Sequence, residues 1–178
     1  LLITMLLRRA GARDIIAVDP VPARRERALA AGAGVALAPD DDLAQRVRER
    51  TGGRGADVAI EASGAPAALG QALAVLAVQG TAVVASWYGT KPVALDLGSD
   101  FHRRRLRIIS SQVGTIDPAL SPRWTHERRR DLVCALLEEL LLPGLVTHRV
   151  PFIRAAEAYR LIDTRPAEVL QVVLEYEE

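Results

Sequence analysis

DIIAVDP, residues 14–20, decides how this chain is read. Ile15, Ile16, Ala17 and Val18 form an unbroken apolar run of strand-forming residues, the pattern of a strand covered on both faces. The run nevertheless ends on a carboxylate, Asp19, with the turn-former Pro20 behind it. Upstream, LLITMLLRRAG (1–11) reads as a helix, apolar through Leu7, with Arg8 and Arg9 at its basic end and Gly11 as its stop. Downstream, PARRERALAAGA (22–33) is an amphipathic helix stopped by glycine, and GVALA (34–38) is a short strand. An apolar strand between two helices points to a layered sheet with helices on its faces.

The same alternation continues to about Gly114. DDDLAQRVRERTGG (40–53) is a helix whose acidic start suits capping and the helix dipole, and whose Gly pair marks its end. ADVAIEAS (56–63) is a strand, APAALGQALAVLAVQG (65–80) a helix, TAVVASWYG (81–89) a strand, and LRIISSQVG (106–114) a strand after a loop. Such βα alternation implies a parallel sheet with right-handed crossovers, so the fold class is α/β, a Rossmann-like doubly wound sheet. From Thr115 the pattern changes. The Pro-containing loop TIDPALSPRW leads to a helix THERRRDLVCALLEELL (125–141), a strand LVTHRVPF (145–152), a helix RAAEAYRLID (154–163) and a strand VLQVVLEY (169–176). Residues 1–114 are therefore read as a dinucleotide-binding domain and residues 115–178 as a separate C-terminal α+β segment.

Composition narrows the function. The 178 residues are 49% hydrophobic, enough for one sizeable core. The 23 basic and 22 acidic residues nearly cancel, leaving +1, so no global field draws the chain to nucleic acid or to an anionic membrane. Small-molecule chemistry or a protein partner is therefore expected. No apolar run approaches the roughly 20 residues of a membrane span, and no signal-peptide pattern opens the chain. Cys134 is the only cysteine, which excludes an intrachain disulfide or a cysteine-rich zinc cluster and suits a reducing cytoplasm.

In a dinucleotide-binding sheet the second strand ends on an acidic residue that accepts hydrogen bonds from the adenosine ribose, about 20 positions after a G-x-G-x-x-G turn. Asp19 fits that position; the competing reading is an Asp that merely opens a turn before Pro20. Counting back from Asp19 places the glycine turn just before Leu1, with residues 1–11 as the helix whose N-terminus faces the pyrophosphate. The sequence is accordingly expected to be a portion of a longer chain. In the strand order 3-2-1-4-5-6 a missing first strand leaves strands 2 and 4 with unpaired edges, and the portion alone is expected to be poorly stable.

The segments AGARDIIAVDP, AGAGVALAPDD, GGRGADVAIEASGAPAAL, GTAVVASWYG and LRIISSQVG, taken in order, resemble the medium-chain dehydrogenase/reductase family, in particular its zinc-type alcohol, polyol and threonine dehydrogenases. GADVAIEASG (55–64) carries the most specific likeness, and LVTHRVPFIRAAEAYRLID resembles the segment returning to that family's catalytic domain. The resemblance implies the C-terminal half of an enzyme that passes hydride between a nicotinamide cofactor and an alcohol or carbonyl substrate. It places Asp19 at the adenosine ribose and Arg24 near the adenine, and Arg24 also reads as part of a solvated helix face beside Arg25 and Arg27. A carboxylate at Asp19 disfavours the extra phosphate of NADP, so NAD is expected, while Arg24 and Arg25 are able to offset that charge. Ala62, Ser63 and Gly64 follow one strand, Ala85, Ser86 and Trp87 the next, and Ser110, Ser111 and Gln112 the last, where family backbone groups hold the nicotinamide amide. Trp87 reads equally as an aromatic packed under a loop.

No catalytic or metal-binding residue is assigned. Zinc in that family sits in the upstream half, and Cys134, His102, His126 and His148 lack ligand spacing. Cys134 is expected in the core of its helix, His126 on a first-turn surface, and His102 in a solvated arginine-rich loop. Two other readings remain: a metal-free NADPH quinone or enoyl reductase, which generally lacks the acidic residue, and a non-enzymatic nucleotide-binding piece. Family habit implies a homo-oligomer through the last strand's edge.

Overall fold

The computed structural model describes residues 1–40, 42–140 and 142–176. The chain divides into two compact units, Leu1–Thr115 and Ile116–Glu178. In the first, α1 (Leu2–Arg9), β1 (Ile16–Val18), α2 (Pro22–Ala30), β2 (Val35–Leu37), α3 (Leu43–Arg50), β3 (Ala56–Glu61), α4 (Pro66–Ala74), β4 (Leu76–Val84) and β5 (Arg107–Ser110) follow in order. Pro22 and Pro66 open α2 and α4, where a fixed φ is already helical and the missing N–H has no helical acceptor to lose. Every strand pair is parallel.

Among the described residues the strands of this unit form two separate sheets, β1-β2 and β3-β4-β5. That is the doubly wound order with no strand between β1 and β3, each of which presents an open edge. Two hydrophobic clusters correspond to the two sheets. Ile15, Ala28 and Ala33, with Leu7 and Ala17 against them, bury α1 and α2 on the smaller one. Leu69, Leu73, Leu76, Ala82 and Leu106 bury α4 on the larger one.

Two expectations are corrected here. The helix expected over 65–80 stops at Ala74, and Leu76–Gly80 joins β4. Distant partners decide it: Leu76 is fully buried in the larger cluster, Arg104 donates to the Leu76 carbonyl at 2.7 Å, and the Gln79 N–H donates to the Arg104 carbonyl at 2.7 Å. Gln79 itself takes φ 63°, and Gly80 fits because a Cβ there would lie 2.9 Å from the Ala77 carbonyl oxygen. The acidic start of α3 supplies no side-chain cap at Asp42; Asp40 instead pairs with Arg46 at 2.6 Å. Asp41 of that acidic run, and Leu141 of the helix expected over 125–141, lie outside the described residues.

In the second unit, α5 (His126–Glu139) is capped by Thr125, whose Oγ1 accepts from the Arg128 N–H at 3.1 Å. β6 (Val146–Pro151), α6 (Ala155–Thr164) and β7 (Gln171–Glu175) make a βαβ unit around Ala158 and Val169. Cys134 is exposed, so it is not the core residue expected; α5 buries none of its residues within the described chain. His126 lies in the first turn of α5, exposed as expected. Among the described residues no helix is long and apolar enough to cross a membrane.

Candidate nucleotide-binding site

β3, β4 and β5 end in register: Glu61 pairs with Val84, and Val84 with Ser110. The residues that follow all leave the same edge of the sheet, the carboxyl ends at which open α/β sheets bind ligands. The Ala85 N–H donates to the Glu61 carbonyl and the Ser111 N–H to the Val84 carbonyl, both at 2.8 Å, carrying the pairing one residue beyond each strand.

Glu61 organises this edge. It is 4% exposed, and its Oε1 accepts from the Ser63 N–H at 2.6 Å, the Ser63 hydroxyl at 2.5 Å and the Gly64 N–H at 3.2 Å. Its Oε2 accepts from the hydroxyls of Ser86 and Tyr88, the latter at 2.7 Å. Burial alone would raise the Glu61 carboxyl, but the donors from Ser63, Ser86 and Tyr88 outweigh it and hold the group down to about 2. The Tyr88 phenol is pushed up by burial and by donating to that carboxylate.

The turn after β3 and the loop after β4 also meet directly. Gly64 sits at φ +67°, and a Cβ there would come within 2.9 Å of the Trp87 carbonyl oxygen, so a side chain would force the two segments apart. Lys91, the only lysine in the sequence, donates to the Gly64 carbonyl at 3.2 Å.

Ser63, Gly64 and Ser86 are thus brought together. Ala62, Ala85 and Trp87 stand exposed at the same edge; Trp87 is 87% exposed, so among the described residues it is not packed under a loop. Ser110 ends β5 in the same row, and the Gln112 side chain accepts from the Gly114 N–H. Asp19 follows β1 at the end of the smaller sheet, its N–H donating to the Leu37 carbonyl at 3.1 Å. It is half-buried, and its Oδ1 accepts from the Val21 N–H at 2.8 Å, the turn geometry that its place before Pro20 led one to expect. Arg24 is half-buried in the first turn of α2. Arg25 donates to the Asp19 and Pro20 backbone carbonyls, at 2.8 and 3.0 Å.

Sequence reasoning missed Glu61, Tyr88 and Lys91. The signal available was an acid closing a buried strand just before Ser63 and Gly64, but nothing local links it to hydroxyls 25 and 27 residues away. Small exposed residues at the strand ends, with an accessible carboxylate after β1, fit a dinucleotide laid across the sheet edge. Among the described residues no group of three or more His, Cys, Asp or Glu is placed to hold a metal ion.

The sequence profile of the family described as zinc-binding dehydrogenase matches residues 1–126. The chain is similar to the D-guloside 3-dehydrogenase of Escherichia coli, 32% identical over 173 residues, covering 94% of this chain and 49% of that protein. It is similar also to the L-threonine 3-dehydrogenase of Symbiobacterium thermophilum, 34% identical over 154 residues, covering 86% and 42%. The crystal structure of 2R,3R-butanediol dehydrogenase from Bacillus subtilis superposes with a TM-score of 0.76 at 26% identity, over 98% of this chain and 47% of that one. The chain spans about half the length of the curated relatives it matches. With profile, relatives and sheet order in agreement, the chain belongs to the zinc-type medium-chain dehydrogenase family and corresponds to the C-terminal half of its longer members.

Proposed function

We propose that this chain is the nucleotide-binding part of an NAD-dependent alcohol or polyol dehydrogenase. The observation that supports this best is Asp19, a half-exposed carboxylate following β1 in the smaller sheet, together with the small exposed residues Ala62 and Ala85 that follow β3 and β4 in the larger one. In this reading Asp19 accepts from the adenosine ribose hydroxyls, and its charge repels a 2′-phosphate. Arg25 spends its guanidinium on backbone carbonyls of the β1–α2 turn, which favours NAD over NADP. Ala62, Ser63 and Gly64, then Ala85, Ser86 and Trp87, line the path towards the ends of β4 and β5, and Ser110 and Gln112 lie where the nicotinamide amide is held. Arg24 stands at the adenine end.

The bound cofactor supplies the hydride chemistry, and this chain's residues bind and orient it. The alcohol or carbonyl substrate, and any zinc that polarises its oxygen, meet ligands outside the described residues, in keeping with relatives about twice as long. The same reading has a further segment supplying the strand between β1 and β3, and makes the chain alone inactive in hydride transfer. The test is titration of the chain with NAD and with NADP, followed by tryptophan fluorescence. Binding of NAD at least about tenfold tighter than NADP, with the preference lost in Asp19→Asn, is the expected result. Equal affinity for both, or a preference untouched by Asp19→Asn, refutes the assignment.

A further inference from the structure

We infer that Glu61 is a positioning residue of the dinucleotide site: it locks the turn after β3 to the loop after β4 and sets a fixed negative charge at the sheet edge that favours oxidised over reduced nicotinamide. The inference rests on the dinucleotide reading above.

Three observations carry it. The Glu61 carboxylate is almost wholly buried, and its donors come from two loops that leave adjacent strands side by side. Those donors are two backbone N–H groups and three hydroxyls, all neutral. They solvate the charge without cancelling it. The nearby ammonium of Lys91 is directed to the Gly64 carbonyl and stands exposed, so water and salt screen it more strongly than they screen the buried carboxylate. The oxidised nicotinamide ring carries a positive charge and the reduced ring carries none. Glu61 ends β3, two strands from the end of β5, and a fixed negative charge at that shared sheet edge stabilises a positively charged ring held there while leaving the neutral ring nearly unaffected.

Glu61→Gln separates charge from shape. The amide oxygen can keep the Ser63 and Gly64 N–H groups, and the amide nitrogen can donate to the hydroxyls of Ser86 and Tyr88, which reverse their roles. Tyr88→Phe does the opposite, removing a tie and keeping the charge. Lys91→Met removes the cation. Dissociation constants for NAD and NADH are measured for the full chain and the three variants at low ionic strength, from tryptophan quenching and NADH emission.

In Glu61→Gln the ratio of the NAD constant to the NADH constant is expected to rise about threefold to tenfold. Lys91→Met is expected to lower that ratio, and Tyr88→Phe to weaken both forms together with the ratio unchanged. Equal weakening of both forms in Glu61→Gln, or no change, overturns the role given to Glu61 and leaves the dinucleotide reading standing. If Glu61→Gln does not fold, Tyr88→Lys, which sets an ammonium against the same carboxylate in place of the phenol, is expected to raise the ratio, and an unchanged ratio there overturns the charge argument. A parent chain that binds neither nucleotide removes the dinucleotide reading, and the inference falls with it.

Discussion

Two acidic residues end parallel strands in this molecule, and their surroundings are opposite. Glu61, in the three-stranded sheet, is buried and surrounded by donors from its own chain. Asp19, in the two-stranded pair, is half-exposed, and its carboxylate accepts from the Val21 N–H two residues on. A carboxylate that the fold has already solvated organises loops, whereas one still facing water can serve a ligand. The same contrast separates the sheets. β3-β4-β5 carries five buried cluster residues and ties between segments far apart in sequence, while β1-β2 is three residues long on each strand and packs on a cluster of three.

The largest expected effect tests that contrast in the core. Leu76 is 0% exposed at the start of β4, in the stretch that the sequence pattern placed in a helix. Leu76→Ala is expected to cost about 2–5 kcal/mol by urea unfolding, from lost transfer energy and the cavity left behind. Ile15→Ala in the smaller cluster should cost less, because Ile15 is 7% exposed and its neighbours include alanines that leave less to unpack. Equal costs would show that the two sheets unfold as one body with a shared core.

Next is acid. The Glu61 carboxyl is held at about 2 in the folded chain against an ordinary 4.5, so folding favours its ionised form. That stabilisation is complete above about pH 4.5, is lost as pH falls towards 2, and is on the order of 3 kcal/mol. Wild type should lose stability steeply through that window, and Glu61→Gln should show a shallower slope there. Parallel slopes would mean that other carboxylates dominate acid unfolding.

Arg104 tests the ties across the larger sheet. Its guanidinium donates to the Leu76 carbonyl at 2.7 Å and to Asp100 at 2.9 Å, holding the turn before β5 against the start of β4. Arg104→Ala should cost about 1–2 kcal/mol, and amide exchange at Gln79, whose N–H is bound to the Arg104 carbonyl, should speed up relative to β1. Faster exchange spread evenly over both sheets would break the comparison.

What the sequence made legible follows the same division. Strand identity in β1, β3 and β5, the helix α2, and the open edges of β1 and β3 were readable because each is set by local pattern or by strand order. The start of β4 was not, since Ala72–Gly80 is compatible with a helix until Leu76 and Arg104 meet. Cys134 was misplaced because an apolar stripe on α5 implies a cover, and the described chain buries no residue of that helix. At the candidate site, Ser63, Gly64 and Ser86 were found from their place after strands. Glu61 was overlooked because its importance lies in partners 25 and 27 residues away, which no spacing rule encodes.

The smallest stability effect belongs to the residue with the most expected of it in binding. Asp19→Ala removes one acceptor from a turn that Pro20, Arg25 and the Leu37 carbonyl continue to hold, and the freed Val21 N–H can turn to water. The cost by urea unfolding should be below about 1 kcal/mol. Glu61→Ala, by contrast, strands five donors at a buried position and should cost several times more, measured in the same way. If Asp19→Ala proves as destabilising as Glu61→Ala, the Asp19 carboxylate is structural and its turn explains it. If it is nearly silent in stability, then a charged group is being kept at a strand end where folding gains little from it, and a ligand is the remaining reason for it to be there.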